Sequence, residues 1–139
     1  MIVCRSGAEI AKMRAANECV ARVLARLEAA VRPGVTTADL DALAEQLVRE
    51  DGAEPAFKGY RGYPATLCAS VNEEVVHGIP SSARALRAGD IVSLDVGVKL
   101  GGYFGDSAIT VPVGAIPERT EALLRVTRES LERAIEKVK

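Results

Sequence analysis

Three observations predict an α+β fold for this chain. The first ~50 residues carry apolar side chains at helical spacing behind two helix-start signals. From Ala53 to Val113 the texture changes to short β-branched runs broken by Gly, Pro and Asn. The segment Asp90–Val98 (DIVSLDVGV) alternates with period two, as a strand with one buried face does.

The elements follow in order. Ser6-Gly7-Ala8-Glu9 is a capping box, and the helix it opens runs to about Val31. Ile10, Met13, Val20, Leu24, Leu27 and Val31 form its apolar side, and Pro33-Gly34 stops it. Thr36 with Asp39 offers a second box. The helix that follows reaches about Glu50, with Leu40, Leu43, Leu47 and Val48 inward and Asp51-Gly52 at its end. Ala65–Val71 is expected to turn at Asn72-Glu73-Glu74 and pair with Val75-Val76-His77-Gly78. Residues 81–89 form a link, and a second hairpin spans Asp90 to Val111. Pro117 suits the first turn of a last helix that reaches the chain end. Aligning Val138-Lys139 with Val31-Arg32 sets Leu131 beside Leu24. That match suits either chance or the start of a second copy of the same architecture.

The second hairpin carries the most informative pair. Val92, Leu94, Val96 and Val98 point one way, and Ser93, Asp95 and Gly97 the other. With Leu100-Gly101 as the two-residue loop, Lys99 pairs with Gly102 and Asp95 stands directly opposite Asp106. Opposed side chains have Cβ atoms only ~5 Å apart, and like charges there repel. A divalent cation between the two carboxylates relieves that repulsion. A slipped register, or one acid protonated and hydrogen-bonded to the other, explains the same spacing without a metal.

Composition narrows the function classes. At 139 residues the chain has the length of one domain. A net charge of −1 gives no basic footprint for nucleic acid or a membrane surface. With 4% aromatic residues and no Trp, base-stacking platforms are not expected. The three cysteines, Cys4, Cys19 and Cys68, show no CxxC spacing, which fits a reducing cytosol and not a disulfide scaffold. The N-terminus lacks the apolar run of a signal peptide, and no run approaches membrane-spanning length.

The stretch Gly59–Pro80, GYRGYPATLCASVNEEVVHGIP, holds the only histidine. His77 sits before Gly78-Ile79-Pro80, a corner from which a side chain can project into a cleft, and histidine is the residue type best suited to acid–base or substrate contact there. A purely structural histidine also fits. Phe57, Tyr60 and Tyr63 either wall an apolar substrate pocket or fill core and turn positions. Cys68 lines the same pocket if the first hairpin is tight, or is a buried inert thiol.

GYPATLCASVNEEVVHGIP, GDIVSLDVGV and GGYFGDSAITVPVG, in that order, resemble the bacterial type I methionine aminopeptidases. The resemblance runs along essentially the whole chain. It implies half of a pita-bread fold, in which two pseudo-symmetric α+β halves enclose a dinuclear metal site. Residues 1–139 then form the N-terminal half, with about 117–139 a helix leading toward the second. The resemblance implies Asp95 and Asp106 as metal ligands and His77 as the group that contacts the substrate near the scissile amide. Phe57, Tyr60, Tyr63 and Cys68 fall at positions around the substrate methionine; at Phe57 many members carry a smaller or polar residue. The implied cofactors are divalent ions (Co, Mn, Fe or Zn), two per site. The implied activity is removal of the initiator Met from nascent polypeptide N-termini in the cytoplasm.

The departures from the family pattern matter as much. Its other ligands are a histidine and two glutamates of the second half, and this sequence has no histidine after His77. Glu129, Glu132 and Glu136 match no ligand motif. The chain is therefore expected to be inactive alone and to need the complementary half or a homodimeric partner. The alternative is a non-catalytic peptide- or protein-binding module of the same fold, or an engineered half-domain that self-assembles.

Overall fold

The computed structural model describes residues 4–138. Helix α1 covers Gly7–Ala30 and α2 covers Thr37–Glu50. Both start on the predicted boxes. Ser6 and Thr36 accept the backbone N–H of Glu9 and Asp39, whose carboxylates accept the cap N–H in return. That reciprocity covers donors the first turn leaves unpaired.

Four strands follow: β1 (Glu54–Pro55), β2 (Leu67–Val71), β3 (Ile91–Leu100) and β4 (Tyr103–Pro112). A short 3-10 turn, Tyr60–Gly62, lies between β1 and β2. The sheet is antiparallel with β3 in the middle. β4 flanks one side of it, and β2 and β1 share the other along different stretches. Both helices lie on one face. Val92, Leu94, Val96 and Val98 are fully buried there against Ala16, Val20, Leu27, Leu40 and Val48. At ~1.5–3 kcal/mol for each large apolar side chain withdrawn from water, this layer is the main source of stability. An antiparallel sheet with helices on one face is the α+β arrangement expected of half a pita-bread fold.

Two of the expected pairings do not form. The tight turn is Gly101-Gly102, at φ +57° and +83°, so Leu100 pairs with Tyr103. A turn of this kind needs positive φ at both central residues, which Leu100 resists and glycine accepts. Every β4 partner moves by two residues: Asp95 pairs with Ala108, and Asp106 pairs with Gly97. A shift of two preserves the face, so the two acids remain on the same side as diagonal neighbours.

The second arm of the other expected hairpin is not a strand. Val75 and Val76 are exposed, and His77 adopts φ +61°, which breaks an extended run. The chain instead returns to β2 at one residue, where Ala69 N–H donates to the Gly78 carbonyl at 2.9 Å.

Ile10 and Met13, expected on the apolar side of α1, lie outside the buried core, with Ile10 half exposed and Met13 more than a third exposed. The first turns of α1 lie against the hairpin end, where the Tyr103 hydroxyl lies 3.4 Å from Glu9 and Lys12 sits over its ring. Helix α3 covers Glu118–Glu136, with Pro117 at its cap. None of its residues is buried, and Leu123, Val126, Leu131 and Ile135 face solvent. Leu24 is buried while Leu131 is not, so α1 and α3 play different parts; Lys139, the end of their sequence alignment, lies outside the described residues.

Candidate metal-binding face

The side of the sheet away from the helices gathers the predicted site. β3 contributes Ser93, Asp95 and Gly97, and β4 contributes Asp106, Ala108 and Thr110. Asp95 is half-buried and Asp106 exposed. Burial raises the Asp95 carboxyl above its usual range, and the charge and hydrogen-bonding contact of Asp106 push it further; His77 pulls the other way. Asp95 and Asp106 are therefore diagonal neighbours across the hairpin, not the directly opposed pair expected from the sequence.

β2 closes the other side. Cys68 is the ladder partner of Asp95 and is buried. Its thiol is raised chiefly by burial, with contact with the Tyr63 hydroxyl opposing the shift and the charges of Asp95, Asp106 and Asp41 adding to it. The Tyr63 hydroxyl lies 2.9 Å from the Leu67 carbonyl and 3.1 Å from that of Gly78. Burial, then contact with Cys68, pushes this phenol well above its ordinary range. Phe57 rests its ring on Gly97, where any Cβ would collide with it. His77 projects from an exposed corner and opposes the rise at Asp95. Tyr60 lies open to solvent, its ring 5.4 Å from the Arg61 guanidinium.

Two supporting residues escape sequence reasoning. Asp41 of α2 accepts the N–H groups of Thr66 and Leu67, both at 2.8 Å, and so fixes where β2 begins. Ser70 accepts the Gly78 N–H at 3.0 Å. Asp41 is separated from its partners by 25 residues or more, so no local pattern marks it.

Two adjacent carboxylates suit a hard or borderline divalent cation, which would offset their repulsion. The fit is partial. Among the described residues, no group of three or more His, Cys, Asp or Glu side chains is arranged to hold a metal ion. Beside the pair, α1 and the outer side of β4 border a groove of ≈ 400 Å³ whose lining includes Asn17, Leu24, Asp106 and Ile109.

The chain is thus an antiparallel sheet backed by helices, with two neighbouring carboxylates on its open face. Residues 11–139 match metallopeptidase family M24, and the chain belongs to that family. It is 50% identical over 137 residues to a methionine aminopeptidase of Clostridium acetobutylicum, covering 99% of this chain and 55% of that protein. Over 131 residues it is 51% identical to methionine aminopeptidase 1 of Mycobacterium tuberculosis, covering 94% of this chain and 49% of that one. The crystal structure of methionine aminopeptidase from Thermotoga maritima superposes with a TM-score of 0.97 at 45% identity, over 100% of this chain and 56% of that one. The prolidase from Pyrococcus furiosus, at 23% identity and a TM-score of 0.81 over 94% of this chain and 37% of that one, shares the fold. The chain thus spans about half the length of the curated relatives it matches.

Proposed function

We propose that this chain is the N-terminal half of a cytoplasmic, metal-dependent aminopeptidase that removes Met from the N-termini of nascent polypeptides. The observation that carries the reading is the placement of Asp95 and Asp106 as diagonal neighbours on the open sheet face, with His77 beside them. The similarity to methionine aminopeptidases supports it.

In this reading Asp95 and Asp106 are two ligands of a dinuclear centre. When bound, the divalent ions supply Lewis acidity and an activated water. The chain's own residues do the rest. His77 hydrogen-bonds the substrate beside the scissile amide and holds it against the centre. Phe57, Tyr63 and Cys68 form an apolar wall that takes the methionine side chain and excludes water, with Tyr60 at its solvent end. Two carboxylates do not complete the ligand set, so turnover requires ligands beyond those of residues 1–139. The complementary half supplies them in this reading, and the bare outer edge of β4 together with the exposed apolar stripe of α3 suits such a partner.

The test is hydrolysis of a Met-Ala-Ser peptide with Mn²⁺ or Co²⁺, with and without the complementary half. Restored turnover that vanishes in Asp106→Asn is the expected result. Restored turnover that survives Asp106→Asn refutes the ligand assignment.

A further inference from the structure

We propose that Tyr63 and Ser70 are positioning residues which, through the backbone of Gly78, hold the corner from which His77 projects. The inference rests on the reading of His77 as a substrate-contacting group beside Asp95 and Asp106.

The geometry is specific. The Gly78 carbonyl accepts from Ala69 N–H at 2.9 Å and from the Tyr63 hydroxyl at 3.1 Å. The Gly78 N–H donates to Ser70 Oγ at 3.0 Å. Both polar ends of this residue are therefore tied to β2 or to the buried side chains around it. Gly78 is also pressed against β2, since a Cβ on it would overlap the Ala69 carbonyl and stand 2.8 Å from Ser70 Cα. No strand pairing extends the restraint toward His77, because Val75 and Val76 are exposed and unpaired with β2.

His77 itself has φ +61°. A non-glycine residue keeps that conformation only when its surroundings over-determine it. Its C-terminal neighbour Gly78 is the fixed point. On the other side, Asn72 N–H donates to the Ile91 carbonyl and Val71 N–H to Glu74 Oε2. The imidazole thus hangs between a turn tied to β3 and a glycine pinned to β2. Tyr63 joins the pin to the site directly, because the same hydroxyl reaches the Leu67 carbonyl at 2.9 Å, one residue from Cys68, the ladder partner of Asp95. A phenol has a single proton, so it divides it between the two carbonyls and resists movement of either.

Tyr63→Phe separates this role from pocket lining, since the ring stays and only the hydroxyl leaves. Ser70→Ala removes the other tie independently and carries the same measurements if Tyr63→Phe does not fold. His77 is the only histidine, so its ring protons are unambiguous in NMR spectra. Without metal, each variant is expected to exchange the Gly78 amide about fivefold faster, the effect of losing one ordinary hydrogen bond, with amides of α1 and α2 unchanged. With Mn²⁺, the parent's His77 signals broaden through the ion held at Asp95 and Asp106, an effect absent in Asp106→Asn. In both variants the broadening is weaker, because the imidazole wanders. Unchanged Gly78 exchange and unchanged broadening in both variants overturn the pin. Faster exchange in the variants without any broadening in the parent overturns the functional assignment instead, since His77 then has no ion to be positioned against.

Discussion

Gly97 faces Asp106 across the hairpin, and the ring of Phe57 occupies the space a side chain on Gly97 would need. The floor of the site is therefore a bare backbone with an aromatic ring laid on it, next to a carboxylate. Gly97→Ala displaces that ring and costs ~1–3 kcal/mol, the usual range for overpacking a filled site. Urea unfolding of Gly97→Ala, Phe57→Ala and the double variant checks it. The double variant is expected to lose less than the sum of the single losses, because the alanine at 97 then has room. Strict additivity would separate the two residues.

Divalent metal is expected to stabilise this chain. Any ligand that binds the folded state alone raises stability by mass action, by ~2.7 kcal/mol at a hundred times its Kd. Mn²⁺ or Co²⁺ is expected to raise the melting temperature, and Asp106→Asn to abolish the rise. Lowering the pH is expected to remove it as well, because protons compete for the carboxylates. Equal metal-induced shifts in the parent and the variant would place the ion elsewhere.

The purified chain alone is expected to release negligible Met from a Met-Ala-Ser peptide. Two carboxylates leave most of a two-metal ligand set unfilled. Robust metal-dependent hydrolysis by the chain alone, with sedimentation showing a monomer, would mean that the absent ligands are dispensable. The same hydrolysis from a dimer would assign them to a second copy.

Acid sensitivity has a local source between the two packed helices. Arg22 of α1 donates twice to Asp51 Oδ2, at 3.0 and 2.7 Å, where Asp51 caps α2. The Arg22 hydrogen bond holds the Asp51 carboxyl below its usual value. A lowered folded-state pKa contributes stability that is present above the unfolded value and lost as pH falls through the folded one. The gap between the parent and Arg22→Ala is therefore expected to be open at neutral pH and to close below the ordinary carboxylate range. The pair is partly exposed, so the gap is small and shrinks with salt. Denaturation curves at stepped pH would show it; a gap constant down to the acid limit would mean that Arg22 acts through packing alone.

Much of this fold was legible because its signals are local. The capping boxes at Ser6 and Thr36 lie within four residues, and the alternation through Val92, Leu94, Val96 and Val98 is carried by one strand. The register was not legible, because it depends on which dipeptide takes positive φ, and two adjacent candidates differed only by Leu100 against Gly102. The shared face of Asp95 and Asp106 survived the error, since side-chain direction repeats every second residue. The path from Val75 to Gly78 reads as a strand by composition. It is diverted by contacts that no window of sequence contains: the close seat of Gly78 on β2, the Ser70 hydroxyl and the Tyr63 phenol. Asp41 illustrates the same limit, a carboxylate whose partners come from a distant strand.

The hairpin that holds both acids is built from residues close in sequence, while Phe57, Tyr63 and His77 come to it from the segments around β1 and β2. Hairpins close in ~1–10 μs, far ahead of such long-range pairing. The two negative charges are therefore expected to meet while the chain is still largely open, so that their repulsion opposes closure of the hairpin. A cation in the surrounding medium would act first as a folding aid, speeding assembly before there is any pocket for a substrate to enter.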